Sequence, residues 1–195
     1  MIQGRTKRHP DYPIDPLFLD RWSPRAMSGE PISETALKTL LEAARWAPSA
    51  FNAQPWRLLY ARRDTPQWTV FFGLLNERNR VWCPHAAALV LFVSEKVNST
   101  TGQPSITHSF DAGGACENLA LQGTLMGLVV HSMQGFDYER ARTELRVPDG
   151  YRVEAMCAIG KPGDPGKLPP ALQERESPNA RKPLAEIACE GAFVW

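Results

Sequence analysis

The stretch Ala86-Ala87-Ala88-Leu89-Val90-Leu91-Phe92-Val93 contains eight apolar residues in succession. Its residues 87–93 predict a β-strand, and the absence of polar alternation indicates a strand covered on both faces. The run is far shorter than the ~20 apolar residues that a membrane-spanning helix needs, so no membrane association is expected. This stretch therefore predicts the central strand of a layered domain.

Helices and strands alternate outward from this strand. A helix after Ser33 is indicated by an N-cap residue followed by apolar residues at helical spacing, and Pro48 stops it. A long apolar helix is expected to begin at Ser109 and to end before Gly127. The other predicted elements are strands over 56–61, 128–131 and 153–159 and helices over 66–75 and 137–146. Such alternation predicts an α/β (α+β) sandwich in which helices flank a central mixed sheet.

Both ends of the chain differ from this middle part. Residues 1–20 combine charges with three prolines, so they are expected to form an extended arm. Residues 21–195 fit a single domain of ordinary size. Prolines and glycines dominate from 160 to 183, so the segment 160–195 is expected to wrap over the surface, without regular structure in its first part.

Charge and cysteine usage exclude several classes of protein. The chain has 22 basic and 21 acidic residues and a formal net charge of +1, so nucleic acid is not an expected partner. No apolar leader is present, which predicts a reducing cytoplasm and free thiols. The four cysteines and four histidines lack metal-ligand spacing, and no metal is expected. Cys116 and Cys157 are expected to be small buried residues.

Common cofactor and nucleophile motifs are absent. The segment 160–167 contains glycines and lysines after a strand, but it lacks the Gly-Lys-Ser/Thr of a phosphate loop. Its two prolines also remove backbone amide donors. No Gly-x-Gly-x-x-Gly follows a strand, and Gly-x-Ser-x-Gly does not occur. Phosphate-loop, Rossmann-type and serine-hydrolase sites are therefore not predicted.

Three loops instead place cations or amides among small residues: Arg21-Trp22-Ser23-Pro24-Arg25, Pro48–Pro55 and 132–137. These loops contain motifs through which the chain resembles the FMN-dependent nitroreductase family, and the resemblance extends from about Asp20 to the C-terminus. The matching motifs are Arg-x-Ser-x-Arg at 21–25, Pro-Ser-x-x-Asn-x-Gln-Pro-Trp at 48–56, Gly-Leu at 127–128 with Gly-Phe-Asp at 135–137, and a basic residue before Pro-Leu at Arg181. Four motifs in the right order are specific, although each alone is modest.

The resemblance implies a role for each matching position. Arg21 and Arg181 would hold the FMN phosphate, a task that suits the forked guanidinium group. Arg25 would lie beside flavin N1 and the C2 carbonyl. The other implied cofactor-binding residues are Ser23 near the phosphate, Asn79 at the pyrimidine edge, Ser132, Met133, Gln134 and Gly135 against the isoalloxazine near N5, Ser49, Ala50 and Asn52 reaching the flavin of the partner subunit, and Trp22 and Pro48 within the same motifs.

Two positions depart from the family pattern. Trp82 stands where well-known quinone and nitroarene reductases often have lysine, and Gln134 stands where they have glutamate. The first change removes a positive charge from the pyrimidine side, and the second removes a negative charge near N5. Both are expected to shift the reduction potential and the choice of substrate.

The resemblance implies an FMN-dependent oxidoreductase that forms an intertwined homodimer with two sites at the interface. NAD(P)H would deliver hydride to flavin N5, and a small organic acceptor (a quinone, nitro compound or enone) would then take two electrons. Arg25 and Gln134 are expected to influence catalysis through flavin electrostatics, and no side-chain acid or base is assigned. Two alternatives remain open: a protein that binds or senses FMN without turnover, and a relative that modifies flavin or dehalogenates a substrate.

Overall fold

The computed structural model describes residues 2–193 and contains one four-stranded sheet within that range. The strands are β1 (Trp56–Arg62), β2 (Ala88–Glu95), β3 (Val129–Met133) and β4 (Tyr151–Gly160), in the spatial order β1-β2-β4-β3. The helices are α1 (Pro16–Asp20), α2 (Glu34–Arg45), α3 (Pro66–Leu74), α4 (Glu77–Arg80), α5 (His108–Leu125), α6 (Tyr138–Glu144) and α7 (Pro170–Gln173). None of these helices combines the length and apolar character that crossing a membrane requires.

The central strand β2 has an apolar layer on each face. Its residues Leu89, Leu91 and Val93 pack into one core cluster with residues of α3 and α6. The alternate residues Ala88, Val90 and Phe92 pack into a second cluster with residues of α2 and α5. Successive side chains of a strand point to opposite faces, so this division follows from the uninterrupted apolar run. The predicted α/β sandwich is confirmed.

The strand pairings refine the predicted mixed sheet. β1 pairs with β2, β2 with β4, and β3 with β4, and each of these pairs is antiparallel. The parallel pairing that a mixed sheet needs is therefore not found among the strands of residues 2–193. An irregularity in register between Phe92 and Val93 interrupts the β2–β4 ladder.

Three helix boundaries test the capping predictions. The Ser33 hydroxyl accepts a hydrogen bond from the Ala36 N–H at 3.0 Å, as expected of the N-cap of α2. For α5 the N-cap residue is Thr107, and the prediction of Ser109 is wrong. The Ser109 hydroxyl instead donates to Glu154 Oε1 on β4 at 2.7 Å, a partner distant in sequence. Gly127 follows α5 with a φ of 67°, the left-handed conformation that glycine adopts without strain.

The predictions for the two ends of the chain need correction. Residues 1–20 are not extended throughout, because Gly4–Thr6 form a 3₁₀ turn and Pro16–Asp20 form α1. Asp15 caps α1 by accepting from the Leu17 N–H, and proline is tolerated in the first turn of a helix. The C-terminal segment likewise contains α7 and a 3₁₀ turn over Pro165–Lys167. Short helical turns thus form in both terminal segments of the chain despite their high proline content.

Candidate functional site

A cavity of about 450 Å³ lies between the N-terminal loop and the C-terminal segment. Its lining residues are Arg8, Trp22, Ser23, Arg25, His131, Glu174, Arg175, Ser177, Asn179 and Arg181. Four of them are arginines, against one glutamate. We refer to this space as the basic cavity. Its excess of guanidinium groups favours an anionic ligand, since each can donate several hydrogen bonds to phosphate or carboxylate oxygens.

Arg8 joins the two walls of the basic cavity. Its guanidinium donates to the carbonyl oxygens of Leu19 at 2.8 Å, Arg21 at 2.7 Å and Asn179 at 2.8 Å. Burial lowers the pKa of Arg8 below its ordinary value, and the nearby charges of Arg181 and Arg21 lower it further. The charges of Arg181 and Arg21 therefore both repel that of Arg8, an arrangement that a bound anion stabilises. Sequence reasoning missed Arg8 because it lies in the part expected to be an extended arm.

Arg25 is held by a carboxylate from the opposite end of the chain. Glu176 Oε1 accepts from the backbone N–H groups of Arg25 at 2.7 Å and Ala26 at 2.8 Å. Glu176 Oε2 lies 3.8 Å from Arg25 Nη1 and, within residues 2–193, has no hydrogen-bond partner. The Glu176 side chain is only 2% exposed. No local sequence signal could identify Glu176, since it lies 150 residues from the loop that it fixes.

His131 ties the loop of residues 21–25 to the sheet. It lies on β3, and its Nδ1–H donates to the Pro24 carbonyl oxygen at 2.9 Å. The indole of Trp82 packs against it, with ring centroids 4.5 Å apart. Burial lowers the pKa of His131 to about 4, and the charge of Arg25 acts in the same direction. The position that the family often fills with lysine is therefore occupied here by a buried indole beside a neutral imidazole.

The end of β3 brings a second group of predicted residues together. Asn79 Nδ2 donates to the Gly135 carbonyl oxygen at 2.9 Å. A Cβ at Gly135 would lie 2.5 Å from that nitrogen and 2.7 Å from Asn76 Nδ2, so a larger residue here would displace the two asparagine amides. Ser132 and Gln134 are exposed, whereas Met133 is buried with its sulfur 3.8 Å from Cys83 Sγ. A ligand at this strand end can therefore contact the backbone of Met133 but not its side chain.

The two arginines predicted to hold the phosphate, Arg181 and Arg21, differ in their surroundings. Arg181 lines the basic cavity, and within residues 2–193 its guanidinium donates only to the neighbouring Ala180 carbonyl oxygen, at 3.2 Å. Arg21 lies beside the cavity, with Nε 3.2 Å from Glu117 Oε1 on α5. Trp22 is buried, and its indole N–H donates to the Ile2 carbonyl oxygen at 2.9 Å. Arg181 thus presents the less compensated charge of the two arginines.

The loop over 48–55 lies elsewhere, at the N-terminal end of α5. The Ala50 N–H donates to Asp111 Oδ2 at 3.2 Å, and the Ser49 hydroxyl accepts from the Gln54 N–H at 3.0 Å. Asn52 has a φ of 53°, and two other residues of the loop also have positive φ. Pro48, Ser49, Ala50 and Asn52 are not among the residues that line the basic cavity. Within one protomer the structure therefore places this loop apart from the residues that line the basic cavity.

Comparison with known proteins places this geometry in a family. Residues 19–67 and 74–161 match the model of the nitroreductase family. The chain belongs to this family. It is similar to the crystal structure of an oxidoreductase containing FMN, with a TM-score of 0.92, 47% identity and 96% of each chain covered. An uncharacterized 15.4 kDa protein of Mycolicibacterium smegmatis is 34% identical over 130 residues, 65% of this chain and 84% of that one. NADH dehydrogenase of Thermus thermophilus is 26% identical over 176 residues, 76% and 86% of the two chains.

The described residues fit the phosphate-bearing cofactor that the family implies. The basic cavity supplies several guanidinium donors, and within it the charge of Arg181 repels that of Arg8. Within residues 2–193, no group of three or more His, Cys, Asp and Glu side chains is arranged to hold a metal ion. The guanidinium groups of the basic cavity thus fit the phosphate group of such a cofactor.

Proposed function

We propose that the protein is an FMN-dependent NAD(P)H oxidoreductase that passes two electrons to a small organic acceptor. Membership of the nitroreductase family supports this proposal, as does the likeness to an oxidoreductase containing FMN and to an NADH dehydrogenase. The observation that carries it is the basic cavity, in which an arginine-rich wall meets the loop of Arg25. FMN, when bound, supplies the chemistry of accepting a hydride and releasing both electrons.

The cofactor phosphate is assigned to Arg181 and Arg21. Both lie near Arg8, whose pKa their charges lower, so an anion between them relieves a repulsion already present in the protein. Ser23 lines the same cavity and adds a hydroxyl donor. Arg8 itself is engaged by three carbonyl oxygens, so it maintains the shape of the site rather than presenting free donors.

Arg25 is assigned to the pyrimidine edge of the flavin. A guanidinium group fixed at that edge would stabilise the negative charge that the cofactor carries once it is reduced. Glu176 fixes the loop by two backbone hydrogen bonds, so Arg25 needs little reorganisation as the charge develops. Trp82 and the neutral His131 contribute no second cation. Arg25 therefore stabilises the negative charge of the reduced flavin without a second cation at position 82. Gln134 leaves the N5 side uncharged.

The partner is a second copy of the chain. In the protomer Ser49 and Asn52 lie at the α5 end, away from the basic cavity, so they would reach the flavin of the partner subunit. Exposed aromatic residues lie in the same part of the chain, including Phe51 and Phe110, each 84% exposed. A protomer with such residues in water is stabilised by covering them. The proposed setting is the cytoplasm, with a quinone, nitro compound or enone as acceptor.

The absorbance spectrum of the purified protein tests this proposal. We expect flavin bands that bleach on anaerobic addition of NADH or NADPH and return when a quinone is added. Flavin bands that persist in the presence of both reductants would identify a binding protein without turnover. Absence of flavin, together with no uptake of added FMN, would overturn the cofactor assignment. Chromatography of the released flavin before and after turnover distinguishes an enzyme that modifies the flavin itself.

A further inference from the structure

Two cysteines and a serine meet where α5 crosses β3 and β4. Cys116 Sγ on α5 lies 3.6 Å from Cys157 Sγ on β4. The hydroxyl of Ser132 on β3 lies 3.3 Å from the first sulfur and 3.2 Å from the second. Cys157 is completely buried, whereas Cys116 is partly exposed. The expectation of a buried residue is therefore confirmed for Cys157 and wrong for Cys116.

The surroundings of the two sulfurs are unequal. Hydrogen bonding from the Cys157 thiol and from the Ser132 hydroxyl lowers the pKa of Cys116 below that of an ordinary thiol, although burial acts against it. The same pairing, together with burial, raises the pKa of Cys157. The charges of Arg21 and Glu117 act on Cys116 in opposite directions. Cys116 is also the sulfur that a small oxidant can reach from solvent, whereas Cys157 is buried behind it, and the thiolate is the reactive form of a cysteine.

We propose that Cys116 and Cys157 form a thiol–disulfide couple that hydrogen peroxide oxidises. The Cys116 thiolate attacks the peroxide O–O bond, takes one oxygen as a sulfenic acid, and releases the other oxygen as water after protonation. The Cys157 sulfur then attacks Cys116 Sγ, so that the S–S bond forms and the S–O bond breaks. The hydroxide leaves with the Cys157 proton as a second water. Two thiols are oxidised, and one peroxide is reduced to two waters.

The geometry favours this pair over the other two cysteines. A disulfide requires sulfurs ~2.05 Å apart, so the two sulfurs must approach by about 1.5 Å. Cys83 instead contacts the thioether of Met133, which forms no disulfide, and burial raises its pKa. Cys189 is exposed and donates to the Ala192 carbonyl oxygen. Peroxide should therefore link the α5–β4 pair, whereas Cys189 lacks the paired arrangement that produces an internal disulfide.

Disulfide formation would alter the strand end assigned to the flavin. Ser132 has both sulfurs as hydrogen-bond neighbours in the reduced protein, and the S–S bond would remove the thiol protons of that cluster. The thiol couple itself does not depend on the flavin assignment, because its three groups belong to this chain. It goes beyond the proposed function, and the two can fail independently.

Peroxide treatment of the protein as purified, followed by blocking of free thiols and peptide mass spectrometry, tests the couple. We expect a peptide pair linked through Cys116 and Cys157 that is two hydrogens lighter than the reduced peptides and that a dithiol reductant separates. Cys189→Ser, the matched control that removes an exposed thiol, should leave this linkage unchanged. Oxidation of Cys189 with no link between Cys116 and Cys157 would overturn the proposal.

The variant Cys157→Ser separates the two steps. It keeps the nucleophile and removes the second sulfur, so sulfenic acid should accumulate at Cys116 and be trapped by dimedone at least tenfold more than in the wild type. In Cys116→Ser, Cys157 should stay reduced under the same treatment, because its thiol is buried and lacks the activating arrangement. Equal dimedone labelling of the wild type and Cys157→Ser would contradict the role of Cys157. The linkage in the wild type remains decisive if either variant fails to fold.

Discussion

The basic cavity and the loop over 48–55 are built in different ways. The cavity is closed by contacts within one chain, in which Arg8, His131 and Glu176 connect parts distant in sequence. The loop rests on Asp111 at the end of α5, beside aromatic side chains such as Phe51 and Phe110 that are largely exposed. A charged site can thus be assembled inside the protomer, whereas the exposed aromatic surface is the part assigned to the proposed homodimer.

The largest expected effect concerns the exposed aromatic surface. Burial of one phenylalanine side chain contributes about 1.5–3 kcal/mol. Phe110→Ser removes two such side chains from a homodimer, so it should weaken dimerisation by at least a hundredfold. Sedimentation or light scattering against protein concentration measures the effect. Tyr60→Ser, on the edge strand β1, is the matched control and should leave the dimer intact. A wild type that stays monomeric at micromolar concentration would contradict the proposed homodimer.

The second effect concerns the link between His131 and the loop of residues 21–25. Burial lowers the pKa of His131 to about 4, below the ~6.5 of an unfolded chain. Between these values the unfolded chain binds a proton that the folded protein excludes, so stability falls as the pH decreases from 6.5 to 4. The contribution is about 3 kcal/mol at ~1.36 kcal/mol per pKa unit. His131→Gln should therefore reduce this pH dependence.

Denaturant unfolding at several pH values measures that dependence. The difference between the wild type and His131→Gln should approach one proton per molecule between pH 4 and 6.5. His85→Gln is the control, since His85 is exposed. Parallel pH profiles for the wild type and His131→Gln would show that folding does not shift the pKa of His131, and the lowered pKa beside Trp82 would be wrong.

The third effect separates the two proposed phosphate arginines. A charge-assisted hydrogen bond contributes about 1.5–3 kcal/mol, or roughly ten- to a hundredfold in FMN affinity. Arg181→Ala should lose more affinity than Arg21→Ala, because Glu117 already offsets part of the Arg21 charge. Arg140→Ala, which disrupts an exposed pair with Glu144 on α6, is the control. Titration of each apoprotein with FMN gives the order, and equal affinity in all three variants would exclude the phosphate assignment.

The smallest expected effect in free energy concerns Arg25, and it distinguishes a role in catalysis from a role in binding FMN. A cation ~4 Å from the charge of reduced flavin stabilises it by up to ~4 kcal/mol at an effective dielectric of about 20. Solvent and the neighbouring Glu176 carboxylate reduce this to about 2 kcal/mol. Arg25→Gln should therefore keep its FMN, lower the reduction potential, and slow bleaching by NAD(P)H at least tenfold. Stopped-flow reduction of the flavin-saturated variant measures it, and an unchanged rate would leave Arg25 without a catalytic role.

Much of the fold could be predicted because its signals are local. The apolar run of β2, the Ser33 cap and the glycine at 127 each depend on a few adjacent residues, and the structure has all three. The start of α5 could not be predicted in the same way. Ser109 is a good capping residue, but Glu154 on β4 provides a stronger partner for its hydroxyl, and that contact depends on the tertiary structure.

The site shows the same limit. Motifs in the sequence identify Ser23, Arg25 and Arg181, and the structure places these three on one cavity. Arg8 and Glu176 carry no motif, because the first acts through three carbonyl oxygens and the second through backbone amides far along the chain. The roles of such residues depend on contacts with distant backbone groups, and these contacts can be seen only in the folded structure.

Comparison of FMN with riboflavin tests the central claim most directly, because the two ligands differ only in the phosphate. The wild-type apoprotein should bind FMN at least about a hundredfold more tightly than riboflavin, as two charge-assisted contacts imply. The variant with both Arg21→Ala and Arg181→Ala should bind the two ligands with similar affinity. Equal binding of FMN and riboflavin by the wild type would show that the basic cavity does not hold the phosphate.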